Sequence, residues 1–258
     1  MLEVVGLSKK YGHLPVLRGI DFAVQPGEIL GYLGPNGAGK STTVNILTGL
    51  LPATSGRIRY RGHEVLGNIR PFQKILGYVP ENAEVYGHMS AWEYLLLVGR
   101  LRRVDAKILE PRLERLLALL RLDYFAHAPI STFSKGMRQK VLLIAALLHD
   151  PEVIILDEPL SGLDTAVVLV IRHLIRELAD RGKTIFFSSH RLDEVERICT
   201  RVLILHRGTI VAHDSVANLR ELMAAPNLEE IFRQLVMQED PQATAQAIAA
   251  TLTGEARV

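Results

Sequence analysis

The chain of 258 residues has a single cysteine, Cys199. No disulfide can form within it, which fits a reducing compartment. Cys199 lies in the helical pattern Glu194-Val-Glu-Arg-Ile-Cys199, where a small core residue is expected rather than a reactive thiol. Long hydrophobic runs are also missing. The longest, Val141 to Leu148, is eight residues, whereas a membrane span needs about 20. Residues 1–10 place their lysines after a short apolar run and show no cleavage site, so no signal peptide is expected. The chain is expected to be soluble, or held at a membrane by something else. Charge of one sign is scarce: 30 basic residues face 28 acidic ones, for a net charge of +2. A nucleic-acid binder usually shows a basic stripe, so no nucleic-acid partner is expected. There is no internal repeat.

What is present is a chain with 48% hydrophobic residues, enough for a substantial core. Its most informative stretch is Gly34-Pro-Asn-Gly-Ala-Gly-Lys40-Ser41. It fits the G-x-x-x-x-G-K-S/T phosphate loop. The apolar run 28–33 precedes it and a helical pattern follows from Ser41. Strand, glycine loop and helix form a cradle in which unpaired helix N–H groups meet an anion. The glycines let the backbone curl close around phosphate oxygens. Lys40 is placed to reach the β- and γ-phosphates, and the Ser41 hydroxyl to ligate Mg²⁺. The expectation is a bound nucleoside triphosphate.

Short strands are expected at 2–7, 16–24, 28–33, 57–61 and 76–79, with a helix over 39–50. From about 88 to 150 the pattern turns helical. Ser90-Ala-Trp-Glu93 reads as a capping box, and Leu109 to Leu122 repeats leucine at helical spacing. Arg102, Arg103, Arg112 and Arg115 are expected on a solvated face. Strands and helices then alternate: strands at 153–156, 184–187, 202–206 and 209–213, helices at 165–180 and 191–199. Alternation of this kind means a mostly parallel sheet covered by helices. The expected fold is therefore α/β. A phosphate-loop NTPase core is joined by an antiparallel β sub-domain and an inserted α-helical sub-domain, within a domain over 2–237. The tail, 238–258, is expected to be partly disordered.

Val153-Ile-Ile-Leu-Asp157-Glu158 puts two carboxylates at the exit of a buried strand, where α/β sheets build their sites. Asp157 suits Mg²⁺, and Glu158 suits a base that takes a proton from water. Two acids after a strand also serve as a helix N-cap. Ser134, before the helix that includes 141–148, is a good N-cap; with the Gly136 N–H it is equally a second anion-binding helix start. His190 ends the strand pattern Thr184-Ile-Phe-Phe-Ser-Ser189, either as a capped or surface residue or as a hydrogen-bond partner of the γ-phosphate or the attacking water. Tyr11 either stacks on a base or is a sheet-surface aromatic.

The ordered set resembles the nucleotide-binding subunits of ABC transporters, over about residues 2–237. Gly34, Pro35, Asn36, Gly37, Ala38, Gly39, Lys40, Ser41 and Thr42 match the Walker A loop and the residue after it. Val153 to Asp157 match the Walker B strand. The resemblance implies adenine stacking for Tyr11, a catalytic role for Glu158, and a switch role for His190. It implies that Asp164, in Ser161-Gly-Leu-Asp164, lies in the D-loop that touches the partner subunit. Phe133-Ser-Lys-Gly-Met137 matches the signature loop, with Lys135 and Met137 where glycine and glutamine are usual. Glu81 stands where glutamine is usual; its carboxylate can ligate Mg²⁺ or orient water, and it brings a negative charge. Both departures look like the exporter branch, as does Leu228-Glu-Glu-Ile-Phe232. The implied partners are a second nucleotide-binding subunit, as a homodimer, and transmembrane permease subunits in trans. They would dock around Glu81 to Leu101, with residues 82–89 as a contact loop, at the cytoplasmic face of the membrane. The implied cofactors are ATP and Mg²⁺. Relatives that act on ribosomes or DNA usually carry two such domains, a coiled-coil insertion or zinc-binding cysteines. This chain has one phosphate loop and one cysteine. A module that has lost hydrolysis is disfavoured by the presence of Lys40, Asp157, Glu158 and His190 together.

Overall fold

The computed structural model describes residues 1–82, 85–236 and the single positions 245, 249 and 251. Apart from those three positions, the expected tail at 238–258 lies outside the described residues. So do residues 83 and 84 of the expected contact loop.

β1 (Leu2–Tyr11) and β2 (Leu14–Val24) form an antiparallel hairpin that closes at Tyr11 opposite Leu14. Both outrun the expected 2–7 and 16–24, because backbone pairing continues through residues with no apolar alternation. β3 (Ile29–Leu33) is buried throughout and leads to α1 (Lys40–Leu47). α1 stops short of the expected Leu50; the Thr48 hydroxyl donates back to the Val44 carbonyl at 2.9 Å. β4 (Ser55–Tyr60) and β5 (His63–Glu64) complete an antiparallel sheet of order β2-β1-β4-β5. A five-residue helix, α2 (Arg70–Lys74), then precedes β6 (Leu76–Val79).

α3 (Ala91–Leu101) opens on its capping box. The Glu93 N–H donates to Ser90 Oγ at 3.2 Å, and the Ser90 N–H donates to Glu93 Oε2 at 2.8 Å. Ser90→Ala is expected to cost about 1 kcal/mol. Thermal unfolding should show Tm lower by roughly 2–4 °C for a chain of this size. α4 (Ala106–Leu119) begins three residues before the leucine repeat, because the Asp105 carboxylate accepts the Lys107 N–H at 2.8 Å. α5 (Lys135–Leu147) likewise starts ahead of its apolar run, at the cap provided by Ser134. Of the four arginines expected in solvent, Arg103 and Arg115 are exposed. Arg102 and Arg112 are not free: they donate to the carbonyls of Gln73 (2.5 Å) and Leu148 (2.7 Å). Guanidinium groups satisfy carbonyls left over at helix ends, and these two tie α3 and α4 back to neighbouring elements.

The second sheet takes in β3, β6, β7 (Val153–Asp157), β8 (Thr184–Ser188), β9 (Arg201–His206) and β10 (Thr209–Asp214). Its order is β10-β9-β3-β8-β7-β6, parallel except for β10. α6 (Thr165–Asp180) and α7 (Leu192–Ile198) separate its later strands; α8 (Val216–Leu222) and α9 (Leu228–Val236) follow. Each central strand feeds two cores. Ile154, Leu156, Ile185, Phe187, Val202 and Ile204 pack with the helical leucines Leu95, Leu109, Leu113 and Leu117. Val153, Ile155, Phe186, Leu203 and Leu205 pack with the antiparallel sheet and α1. Burial on both faces is why these strands are continuously apolar. The carboxyl ends of β3, β6, β7 and β8 deliver Gly34, Glu81, Asp157 and His190 to one edge of the sheet. The fold is the α/β class expected, with separate parallel and antiparallel sheets. Among the described residues, no helix is long and apolar enough to cross a membrane.

Candidate active site

The phosphate loop turns sharply after β3. Gly39, the residue before α1, has φ +113°, and a Cβ there would lie 2.7 Å from Leu17 Cδ2. Only glycine fits that conformation and that space. No side chain caps α1, and its first turn carries no acid. Its leading N–H groups are therefore left for an anion. Lys40 Nζ donates to the carbonyls of Gly34 (2.5 Å) and Pro35 (3.1 Å), so the ammonium is held over the loop. Partial burial pulls the Lys40 pKa down, while the charges of Glu158, Asp157 and Glu81 push it up. Behind the loop, the Tyr32 hydroxyl and Thr43 Oγ1 lie 2.9 Å apart, and Thr43 Oγ1 donates to Gly39 O at 3.1 Å, bracing the turn.

The opposite wall is acidic. Asp157 and Glu158 are both buried. Burial raises the Asp157 pKa, and the charges of Glu81 and Glu158 raise it further, against the pull of Lys40. Tyr78 is pushed up to about 12, by burial first and then by Asp157 and Glu81. Glu158 has φ +50°, a left-handed conformation that costs a non-glycine residue of order 1–3 kcal/mol. Its carboxylate takes two hydrogen bonds from the residues just after β8, with the His190 ring beside it. His190 N–H donates to Oε1 at 2.6 Å, Ser189 Oγ donates to Oε2 at 3.1 Å, and His190 Nδ1 lies 2.7 Å from Oε1. The Glu158 N–H in turn donates to Ser188 O at 2.9 Å. The strained acid is thus held in a fixed orientation by the strand beside it.

These groups face one another across a cleft of about 320 Å³. Asn36, Gly37, Gly39, Lys40, Ser41, Thr42, Glu81, Asp157, Glu158 and His190 line it. Among the described residues, the lining includes neither Tyr11, Ser134, Gly136 nor Asp164. Tyr11 is 50% exposed at the hairpin tip, with Lys9 Nζ 5.2 Å from its ring centroid. Ser134 caps α5 by accepting the Met137 N–H at 3.2 Å. Asp164 caps α6 by accepting the Val167 N–H at 3.0 Å. Gly34, Pro35 and Ala38 shape the loop from beneath; Ala38 is buried and its carbonyl accepts the Gly208 N–H at 3.1 Å. Among the described residues, no set of three or more histidine, cysteine or carboxylate groups is arranged to hold a metal ion. Two carboxylates and a serine hydroxyl beside a phosphate loop fit Mg²⁺ that is shared with phosphate oxygens and water. A magnesium–nucleotide pair therefore suits the donors present.

The ABC transporter family matches residues 17–161, from β2 through the phosphate loop to just beyond the Asp157-Glu158 pair. The chain belongs to the ATP-binding subunits of ABC transporters. It is 42% identical over 208 residues to an uncharacterised ABC transporter ATP-binding protein of Synechocystis, across 79% of this chain and 57% of that one. It is 37% identical over 211 residues to the Nod factor export ATP-binding protein I of Rhizobium meliloti, across 82% and 63%. It thus spans less than two thirds of either relative's length. A solved ATP-binding subunit of an ABC transporter superposes with a TM-score of 0.86 at 32% identity, over 91% of this chain and 99% of that one.

Sequence reasoning overlooked three residues of this ABC subunit. Val16 of β2 lines the cleft, and no local pattern marks a strand valine as a site residue. Ser189 donates to Glu158; its position beside His190 was the available signal. Gln139 is buried and its Nε2 donates to the Pro159 carbonyl at 3.0 Å. It stands between Arg138 and Lys140, so no local pattern marks it as buried, and only packing shows the partner that a buried amide needs.

Proposed function

We propose that this chain is the ATP-hydrolysing subunit of a transporter that exports its substrate through separate transmembrane permease subunits. One observation carries the reading. The phosphate loop, Asp157, Glu158 and His190 line a single cleft, whereas Ser134, Gly136 and Asp164 lie outside it. A second copy packed head to tail supplies the missing wall. In this reading Lys40 and the loop amides hold the β- and γ-phosphates, with Gly34 to Thr42 as the cradle. Ser41, Asp157 and Glu81 would hold Mg²⁺, which would supply charge neutralisation at the phosphates. Glu158 accepts the proton of the attacking water, and His190 keeps its carboxylate oriented. Tyr11 meets the base; Ser134, Gly136 and Asp164 serve the partner's nucleotide. ATP favours the closed pair because it binds that pair more tightly than the open one.

The permease has a place to dock. A groove of about 590 Å³ opens between the core and α3, lined by Leu50, Tyr78, Tyr94, Leu101 and Leu142 among others. Leu50 and Leu101 are exposed apolar side chains there, at 67% and 73%. Attachment at this groove puts the chain at the cytoplasmic face of the membrane. Export is favoured over import by Glu81, by the Ser-Lys-Gly-Met loop, and by the export named for the Rhizobium relative. The test is purification of the full chain from its native membranes in mild detergent. A membrane-spanning polypeptide should co-purify, and phosphate release should require both ATP and Mg²⁺. Recovery with ribosomes or DNA instead would overturn the reading.

A further inference from the structure

The start of α5 grips the loop that leads from Glu158 to α6. Lys135 Nζ donates to Ser161 Oγ at 2.8 Å. The lysine stem lies along Gly162, so close that a Cβ added there would come within 3.0 Å of Lys135 Cγ and Cδ. Gly136 also meets this turn: a Cβ on it would fall 2.5 Å from the Gly162 carbonyl oxygen. One helical turn further on, buried Gln139 donates to the Pro159 carbonyl at 3.0 Å. Within the loop, the Ser161 N–H donates to Glu158 O at 3.1 Å and the Leu163 N–H to Leu160 O at 3.3 Å, and Leu160 is buried in the core.

We propose that Lys135 is a positioning residue that braces the Ser161–Leu163 turn against the start of α5. Ser134, Gly136 and Asp164 then reach the partner's nucleotide as one body, and the backbone that carries Glu158 is held from its far side. The inference rests on the head-to-tail reading above. A lysine beside an anion-binding helix start also suits direct contact with phosphate. The geometry favours the brace: Nζ is already bonded within its own chain, its stem is packed on Gly162, and the group that accepts its hydrogen bond is a neutral hydroxyl.

The test uses the full chain and four variants. Lys135→Met keeps the stem and removes the donor. Ser161→Ala removes the acceptor and keeps the charge. The double variant and Lys135→Arg complete the set. Losing one such hydrogen bond should lower kcat about three- to tenfold in each single variant. KM for ATP should stay within about twofold, the split expected when only transition-state geometry is lost. The double variant should be no worse than either single one, since both remove the same tie. Lys135→Arg should restore most of the rate. Without nucleotide, the Ser161 and Leu163 amides should exchange hydrogen several-fold faster in Lys135→Met and Ser161→Ala. A raised KM in Lys135→Met with Ser161→Ala silent would overturn the brace in favour of a phosphate contact. Unchanged kinetics and exchange in both would also overturn it. If the unaltered chain neither binds nor hydrolyses ATP, the reading of its function fails, and the exchange rates still decide the brace.

Discussion

Glu158→Gln should lower ATP turnover roughly 10²–10⁴-fold, the usual cost of losing a general base. Binding of ATP should persist. Glutamine keeps the length and the branched end of the side chain, so its amide oxygen still accepts the His190 N–H. The backbone conformation at 158, and with it the path of the loop to α6, is left in place. What disappears is the negative charge that accepts a proton. Removing that charge also lightens the acidic wall of Asp157, Glu81 and Glu158 that faces a triphosphate, which favours binding. With ATP held and not cleaved, head-to-tail dimers should accumulate. Phosphate release, equilibrium binding of ATP and sedimentation with and without ATP measure the three expectations. Near-normal turnover would remove Glu158 from the chemistry.

Phe186→Ala should destabilise the fold by about 3–5 kcal/mol, the range for truncating a buried phenylalanine. Phe186 is fully buried in β8. Its ring lies 4.8 Å from that of Tyr32 and 6.0 Å from that of Phe22 between centroids, so it joins β8, β3 and β2 in one aromatic cluster. The cavity cannot close easily, because all three strands are held by sheet pairing. The damage should also reach the phosphate loop, since the Tyr32 hydroxyl meets Thr43 of α1. Denaturant titration should show the full loss in midpoint. Leu222→Ala, at a side chain 77% exposed, should stay within about 0.5 kcal/mol. A small effect of Phe186→Ala would mean that the two-sided core is not what holds the parallel sheet.

The phosphate loop was legible because its chemistry is local. Glycine conformational freedom, a strand before it and a helix after it are properties of about fifteen neighbouring residues, and the structure keeps that order. The capping box at Ser90 and Glu93 was legible for the same reason. The apolar strands at 153–156 and 184–187 were legible as buried on both faces, since neither shows alternation. Arg102 and Arg112 were misread because helical spacing says which side chains share a face, not which distant carbonyl lies within reach. Val16 and Gln139 gave no clear local signal. Their roles depend on the β2 hairpin closing over the phosphate loop and on α5 resting against the turn after Glu158.

Residue types and their spacing were therefore sufficient for the chemistry of this chain: a triphosphate grip, paired acids after a strand, a histidine after the next one. Packing had to settle which of them meet. Strand order β3-β8-β7-β6 brings His190 to Glu158 across 32 positions of sequence. It also leaves Ser134 and Asp164 capping helices away from the cleft. That order follows from burying both faces of every central strand at once, a sum over contacts throughout the molecule that no single segment encodes.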